Sequence, residues 1–217
     1  MTATKSRTLP FAAGILAMAA VVVASNILVQ YPVAASIGAL NLADLLTWGA
    51  FTYPAAFLVT DLTNRRLGPS AARRVVLVGF AFAVVLSVVL ATPRLAIASG
   101  SAFLVAQLLD VAVFNRLRNR VWWVPPAVSS LIGSVVDTAV FFSLAFAASF
   151  VVFGPNDGFA IEAAPLLGLF DIAVVPRWMS WALGDFSVKL LVAALLLVPY
   201  RVVLSFIQPQ ALEARPV

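Results

Sequence analysis

The stretch LAIASGSAFLVAQLLDVAVF, Leu95 to Phe114, decides the fold. Twenty residues at 1.5 Å rise make a helix of about 30 Å, the thickness of a bilayer's hydrocarbon core. Yet Gln107 and Asp110 sit inside the run, three apart and so on one face, about 18–22 Å along the axis from Leu95. An ionisable group at the bilayer centre costs about 2.5–3.5 kcal/mol on insertion scales, and such groups face a bundle interior or a watery cavity. A helix that must satisfy lipid on one side and a carboxylate on the other belongs to a bundle built around a polar pocket.

The rest of the chain repeats the pattern. Six stretches have span length: Phe11–Gln30, Leu42–Leu62, Arg74–Thr92, Leu95–Phe114, Pro126–Val152 and Trp178–Val203. They predict an all-α integral membrane protein, residues 1–217 forming one transmembrane domain of six helices. With 63% hydrophobic and 11% charged residues and a mean hydropathy of +1.05, a soluble domain of this size could not hide its apolar surface. The start, MTATKSRTLP, is basic ahead of an apolar run, as in a signal peptide. Phe11 to Val29 is nevertheless span-length with no clear cleavage site, and the expectation is a retained first helix.

The basic residues fix an expected orientation. Lys5, Arg7, Arg65, Arg66, Arg73, Arg74, Arg116, Arg118, Arg120, Arg201 and Arg215 fall on one side, against Arg94 and Arg177 on the other. Eleven against two places both termini in the cytoplasm by the positive-inside rule. This placement also accounts for the net charge of +5, so nucleic acid is not an expected partner. Trp48, Trp122, Trp123, Trp178 and Trp181 fall near span ends, as in an aromatic belt. The segments FLVTDL, Phe57–Leu62, and FLVAQL, Phe103–Leu108, are weakly alike. The longest connection, Gly154 to Arg177, contains Asp157, Glu162 and Asp171 and three prolines, and is expected to hold a short interfacial segment such as Ala164–Val175.

Polar groups recur within the spans. Ser134 and Asp137 repeat the three-residue spacing of Gln107 and Asp110, with Thr138 adjacent; Asp185 and Lys189, four apart, can pair directly. Asp61 and Arg65 have the same spacing at a helix end, where a pair would fix the loop. The first helix adds Asn26 and Gln30, and the second Asp44, Thr47, Trp48 and Tyr53. Carboxylates, amides and aromatic rings converging from several helices suit a flat heteroaromatic ligand, hydrogen-bonded at its edge and stacked on its face. The candidate substrate-binding set is Asn26, Gln30, Trp48, Tyr53, Gln107, Asp110, Ser134, Asp137, Asp185 and Lys189. The chain has no cysteine and no histidine, which removes thiol nucleophiles, imidazole bases and the usual transition-metal ligands. No catalytic set, metal site or cofactor is expected. Ala13, Ala17, Ala20 and Ala24 form a small-residue stripe on the first helix; packing within the chain is the expectation, docking to a separate subunit the alternative.

Combined motifs then carry a resemblance. Ser25-Asn26-Ile27-Leu28-Val29-Gln30, Thr47-Trp48-Gly49-Ala50-Phe51, Phe57-Leu58-Val59-Thr60-Asp61-Leu62-Thr63, Ala72-Arg73-Arg74, Gln107-Leu108-Leu109-Asp110-Val111, Phe114-Asn115-Arg116-Leu117-Arg118 and Ser134-Val135-Val136-Asp137-Thr138 with Phe141-Phe142 resemble the bacterial queuosine precursor transporter family, also called the vitamin uptake transporter family. The resemblance runs from Asn26 to Tyr200 and leaves out the acidic fifth loop. It implies an importer in the bacterial inner membrane, not an enzyme. Its implied substrates are 7-cyano-7-deazaguanine and 7-aminomethyl-7-deazaguanine, precursors of the tRNA nucleoside queuosine. For such a deazapurine, Asp110 or Asp137 would accept from N1–H and the exocyclic amine, and Gln107, Asn26 or Lys189 would donate to O6. The alternative is a substrate-binding subunit of an ATP-driven uptake system, which the alanine stripe favours. Arg94 is expected either as a lone belt cation or as an entry contact.

Overall fold

The computed structural model describes residues 2–38, 40–169 and 173–207, with side chains from residue 8 onward. Asp171 and Arg215, and the side chains of Lys5 and Arg7, lie outside the described residues. Among the described residues, five helices are long and apolar enough to cross a bilayer: α1 (Thr2–Leu28), α4 (Pro69–Leu90), α5 (Pro93–Leu117), α6 (Val124–Phe146) and α8 (Arg177–Ile207). Their outward faces explain why a bilayer is needed. On α8, Leu191, Leu195, Val198, Val202 and Phe206 form an exposed stripe at helical spacing, and on α4 Leu77, Val84, Val85, Val88 and Val89 do the same. Apolar faces of this extent mark contact with lipid.

The second expected span, Leu42–Leu62, is not one helix. Leu42–Asp44 is a 3₁₀ turn, α2 covers Trp48–Thr52, and α3 covers Ala55–Leu67. The break falls at Pro54, which has no N–H to give to Ala50 and whose ring crowds the preceding turn. The backbone tightens there, Ala56 bonding to the Tyr53 carbonyl and Phe57 to that of Pro54. Gly68, at φ 90°, then ends α3, and Pro69 starts α4, as the Leu67-Gly68-Pro69 sequence suggests.

The fifth span is also shorter than expected. Rather than running to Val152, α6 stops at Phe146, and a 3₁₀ segment covers Ala148–Phe153. Arg94, buried at the start of α5, supplies the reason. Its guanidinium donates to the carbonyls of Leu144 and Ala147 at the end of α6, to those of Gly154 and Pro155, and to Asn156 Oδ1. A cation at a helix C-terminus satisfies its last carbonyls and opposes its dipole. Arg94 is therefore a clamp on the chain turn, neither a belt cation nor an entry contact.

The fold is not purely helical. Both connections at the Arg94 end of the bundle carry two-stranded antiparallel ribbons, β1 (Ser36–Ile37) with β2 (Leu40–Asn41), and β3 (Ala163–Pro165) with β4 (Val174–Pro176). The expected interfacial segment Ala164–Val175 thus begins and ends in ribbon strands, with a 3₁₀ turn at Leu166–Gly168 after the first and residues 170–172 outside the described residues. A one-turn helix, α7 (Gly158–Ile161), precedes it, capped by Asp157. Arg177 ties this arm to α8 through Glu162 at 3.2 Å and lies 4.5 Å over the Phe159 ring.

The core forms where α1, α3, α4 and α5 meet, around Met18, Val22, Ala56, Val75, Val76, Phe103 and Val111. On α1 the packed face is Gly14, Met18, Val22 and Ser25, with an added Cβ on Gly79 meeting Met18 at 2.5 Å. Ala13, Ala17 and Ala20 are exposed, so that stripe does not pack within the chain. Met18 and Val22, on the packed face, fill the inter-helix space.

Candidate functional site

A cavity of about 840 Å³ opens at the ribbon end of the bundle. Its walls come from α1, the α2 region, α5, α6 and α8, with the two ribbon arms at its mouth. Asn26, Tyr53, Asp137, Asp185 and Lys189 line it. The last three form one charged unit. Lys189 Nζ lies 2.6 Å from Asp137 Oδ2, bonds Thr138 Oγ1 at 3.2 Å, and pairs with Asp185 one turn back on its own helix. Thr138 donates in turn to Asp185 at 2.9 Å, and Tyr53 OH reaches Asp137 Oδ1 at 3.4 Å. All three ammonium donors are occupied, which is what a buried lysine requires. Two acids to one base leave the unit with a formal charge of −1.

One turn along the same two helices stands an aromatic wall that sequence reasoning did not single out. Phe141, Phe142, Phe146, Trp181 and Phe159 line the cavity, and their rings touch in series, Phe141–Phe142 at 5.0 Å, Phe146–Trp181 at 5.5 Å and Phe159–Trp181 at 6.1 Å between centroids. The signal was present: Phe142 and Phe146 are four apart, and Phe141 lies one turn beyond Asp137 on the same helix face. Trp181, expected in the belt, likewise stands one turn before Asp185. Ser99 and Ala102 complete the α5 side.

The remaining candidates lie off the cavity wall. Gln30 is exposed and bonds the Asn26 carbonyl at 3.3 Å; Trp48 is about half exposed and packs on Phe51. Gln107 and Asp110 form part of a second polar cluster nearer the opposite end, and Ser134 lies on α6 without a hydrogen-bond partner among the described residues; all three are fully buried. There, Thr60 donates to Gln107 Oε1 at 2.6 Å, and Ser129 to Asp61 Oδ1 at 3.3 Å. The carboxyl groups of Asp61 and Asp110 face each other within hydrogen-bonding reach. Arg65 does not form the expected ion pair with Asp61. It bonds Tyr200 OH at 3.1 Å and the Arg118 carbonyl at 2.8 Å, while Arg118 donates back to the Arg65 carbonyl at 2.5 Å. This exchange caps the ends of α3 and α5 together. Burial, with the Arg65 charge beside it, lowers the Arg118 guanidinium from its ordinary range.

An apolar layer separates the two clusters. Tyr53, Phe57 and Asp61 follow one another at four-residue spacing down α2 and α3; Phe57 is buried, as is Phe103 beside Tyr53 on α5. A Cβ added to Gly133 would meet the Phe57 ring at 2.7 Å, so that ring lies directly against the α6 backbone. A cavity open at one end, closed beneath by the buried Phe57 and Phe103 and enclosed by lipid-facing helices, is the architecture of a membrane carrier.

The comparisons agree. The family model described as "Putative vitamin uptake transporter" matches residues 47–92 and 85–203. A protein of Escherichia coli named "Queuosine precursor transporter" is 35% identical over 209 residues, 86% of this chain and 83% of that protein. One of Haemophilus influenzae, named "Probable queuosine precursor transporter", is 36% identical over 215 residues with the same coverage. A Bacillus subtilis protein of that name is 28% identical over 128 residues, 46% of this chain and 56% of that protein. No solved structure matches the chain. The chain belongs to the vitamin uptake transporter family: it is a multi-pass transporter of the bacterial inner membrane, not an enzyme.

Proposed function

We propose that this protein imports queuosine precursors, 7-cyano-7-deazaguanine and 7-aminomethyl-7-deazaguanine, through the cavity above. The observation that carries this reading is the pairing, within one cavity, of the Asp137–Lys189–Asp185 unit with the Phe141–Phe146–Trp181 wall. A deazaguanine needs both halves. Asp137 accepts from N1–H and the exocyclic amine, Lys189 turns its long third bond from Thr138 to O6, and the rings stack on the heterocycle. Asp185 holds Lys189 in place, Tyr53 orients Asp137, and Asn26 closes the α1 side. The names of the relatives support the substrate class.

The proposed topology has six crossings, with α2 and α3 together making the second. Trp48 to Leu67 is 20 residues, about 30 Å of helix, enough to span despite the break. The arginine distribution supports cytoplasmic termini and an external cavity mouth. Reporter fusions after Ser70 and Arg120 should then read cytoplasm, and one within residues 154–177 the outside; reversal at any two sites overturns the orientation.

Two measurements test the function. The purified protein should bind both deazaguanines and discriminate against guanine. Cells lacking their own importer should also regain precursor uptake with this chain as the sole added gene. Binding without uptake would indicate a substrate-binding subunit that needs an ATPase partner, and absence of binding overturns the substrate assignment.

A further inference from the structure

The cavity leaves the Asp61 and Asp110 pair unused, and the pair is unusual in its own right. The two residues are 1% and 0% exposed, and neither has a salt-bridge partner among the described residues. Both Asp110 oxygens lack a donor in hydrogen-bonding geometry, and so does the Nε2 of Gln107, one turn back, lack an acceptor. Beside Asp61 is a small second cavity of about 10 Å³, lined also by Ser130 and Tyr200, with the room one water needs. The groups facing the pair are Ser129 from α6, Arg65 on α3 and Tyr200 on α8; Arg118 stands behind Arg65.

Two ionised carboxylates in such a place repel and have nothing to bond. One proton between them removes the repulsion and supplies the missing hydrogen bond. A divalent metal does not fit, because hard cations take six or more oxygens, and no group of three or more acidic residues occurs among the described residues.

We propose that Asp61 and Asp110 form a proton-binding site, a single proton shared between their carboxyl groups, whose occupancy holds the end of the bundle away from the cavity closed. The proton binds α3 to α5 across the pair. Its departure into the water on that side leaves two like charges in contact, and α3 separates from α5 and from Ser129 on α6. The apolar layer at Phe57 lies on the same helix and moves with it. The site goes beyond the substrate assignment, and its test uses no substrate, so either can fail alone.

The chain has no cysteine, so a single introduced thiol reports its own surroundings. Ser130→Cys lines the small cavity, and exposed Ser70→Cys serves as reference for the thiol's intrinsic reactivity. In liposomes, maleimide labelling at position 130 relative to position 70 should rise at least tenfold from about pH 5 to about pH 9. Asp110→Asn offers Asp61 an amide hydrogen in place of the shared proton, so labelling should stay low at both values; Asp61→Asn should behave alike. An infrared carbonyl-stretch band of a protonated carboxyl should be present in the Ser130→Cys protein at acidic pH. It should vanish in step with the labelling, a check that stands even where the Asn variants do not fold. Labelling independent of pH, labelling that follows sodium instead, an Asp110→Asn protein that opens like its parent, or absence of the band at acidic pH would each overturn the proposal.

Discussion

Lys189 and Asp137, 52 positions apart, meet at 2.6 Å and join α8 to α6 through the wall of the cavity. Because Lys189 also holds Asp185, the three cannot be treated as a simple pair. Lys189→Met strands the buried Asp137 and the partly buried Asp185 and should cost about 3–5 kcal/mol. Asp185→Asn keeps the Lys189–Asp137 bond and an amide oxygen for Thr138, and should cost less than about 1.5 kcal/mol. Neutralising Lys189 and Asp185 together still strands Asp137, so recovery should require Asp137→Asn as well. Thermal unfolding of the four proteins orders them.

Trp181→Ala removes the ring that links Phe146 to Phe159. Stacking of an aromatic side chain on a nucleobase contributes about 1–3 kcal/mol, so deazaguanine affinity should fall about tenfold to a hundredfold. Trp181→Phe should recover most of it. Titration of both variants checks this, and unchanged affinity in the alanine variant would place the ligand elsewhere.

Arg94→Ala leaves the last carbonyls of α6 and those of the 154–155 turn without their donor. Each buried orphan costs about 1–3 kcal/mol, so the turn should open and protease cleavage within residues 147–157 should appear. Arg94→Lys should not restore protection, since three donors from one nitrogen cannot reach acceptors spread around a planar guanidinium.

Gly133→Ala drives a methyl into the Phe57 ring and should cost about 1–3 kcal/mol. The double variant with Phe57→Leu should regain stability, because the smaller side chain yields the space. A Gly133→Ala protein as stable as its parent would mean that the apolar layer is loosely packed.

These sites differ in how far they were legible. Span length and charge placement gave a helical membrane protein, and the four-residue spacing gave the Asp185–Lys189 contact. Helical periodicity assigns a face but says little about how helices are offset in height. Gln107 and Asp110 lie about 18–22 Å down α5, whereas the cavity uses its first turns, at Leu95, Ser99 and Ala102. The depth was therefore available, but not the depth of the cavity. Phe141, Phe142 and Phe146 resemble lipid-facing residues until Trp181 stands beside them. The shortening of α6 depended on Arg94, some 50 residues away, and the ribbons on pairings of two or three residues each, which leave no periodic trace.

The Phe57 layer has a consequence for stroke length. From Tyr53 to Asp61 is eight residues, about 12 Å of axis, and Phe57 with Phe103 occupies about one turn of it. A solute in the cavity is thus held back by a barrier one side chain deep, above a helix already jointed at Pro54. Crossing it calls for a short swing about that joint, on the microsecond-to-millisecond scale of hinge motions, rather than the travel of a whole domain through the bilayer.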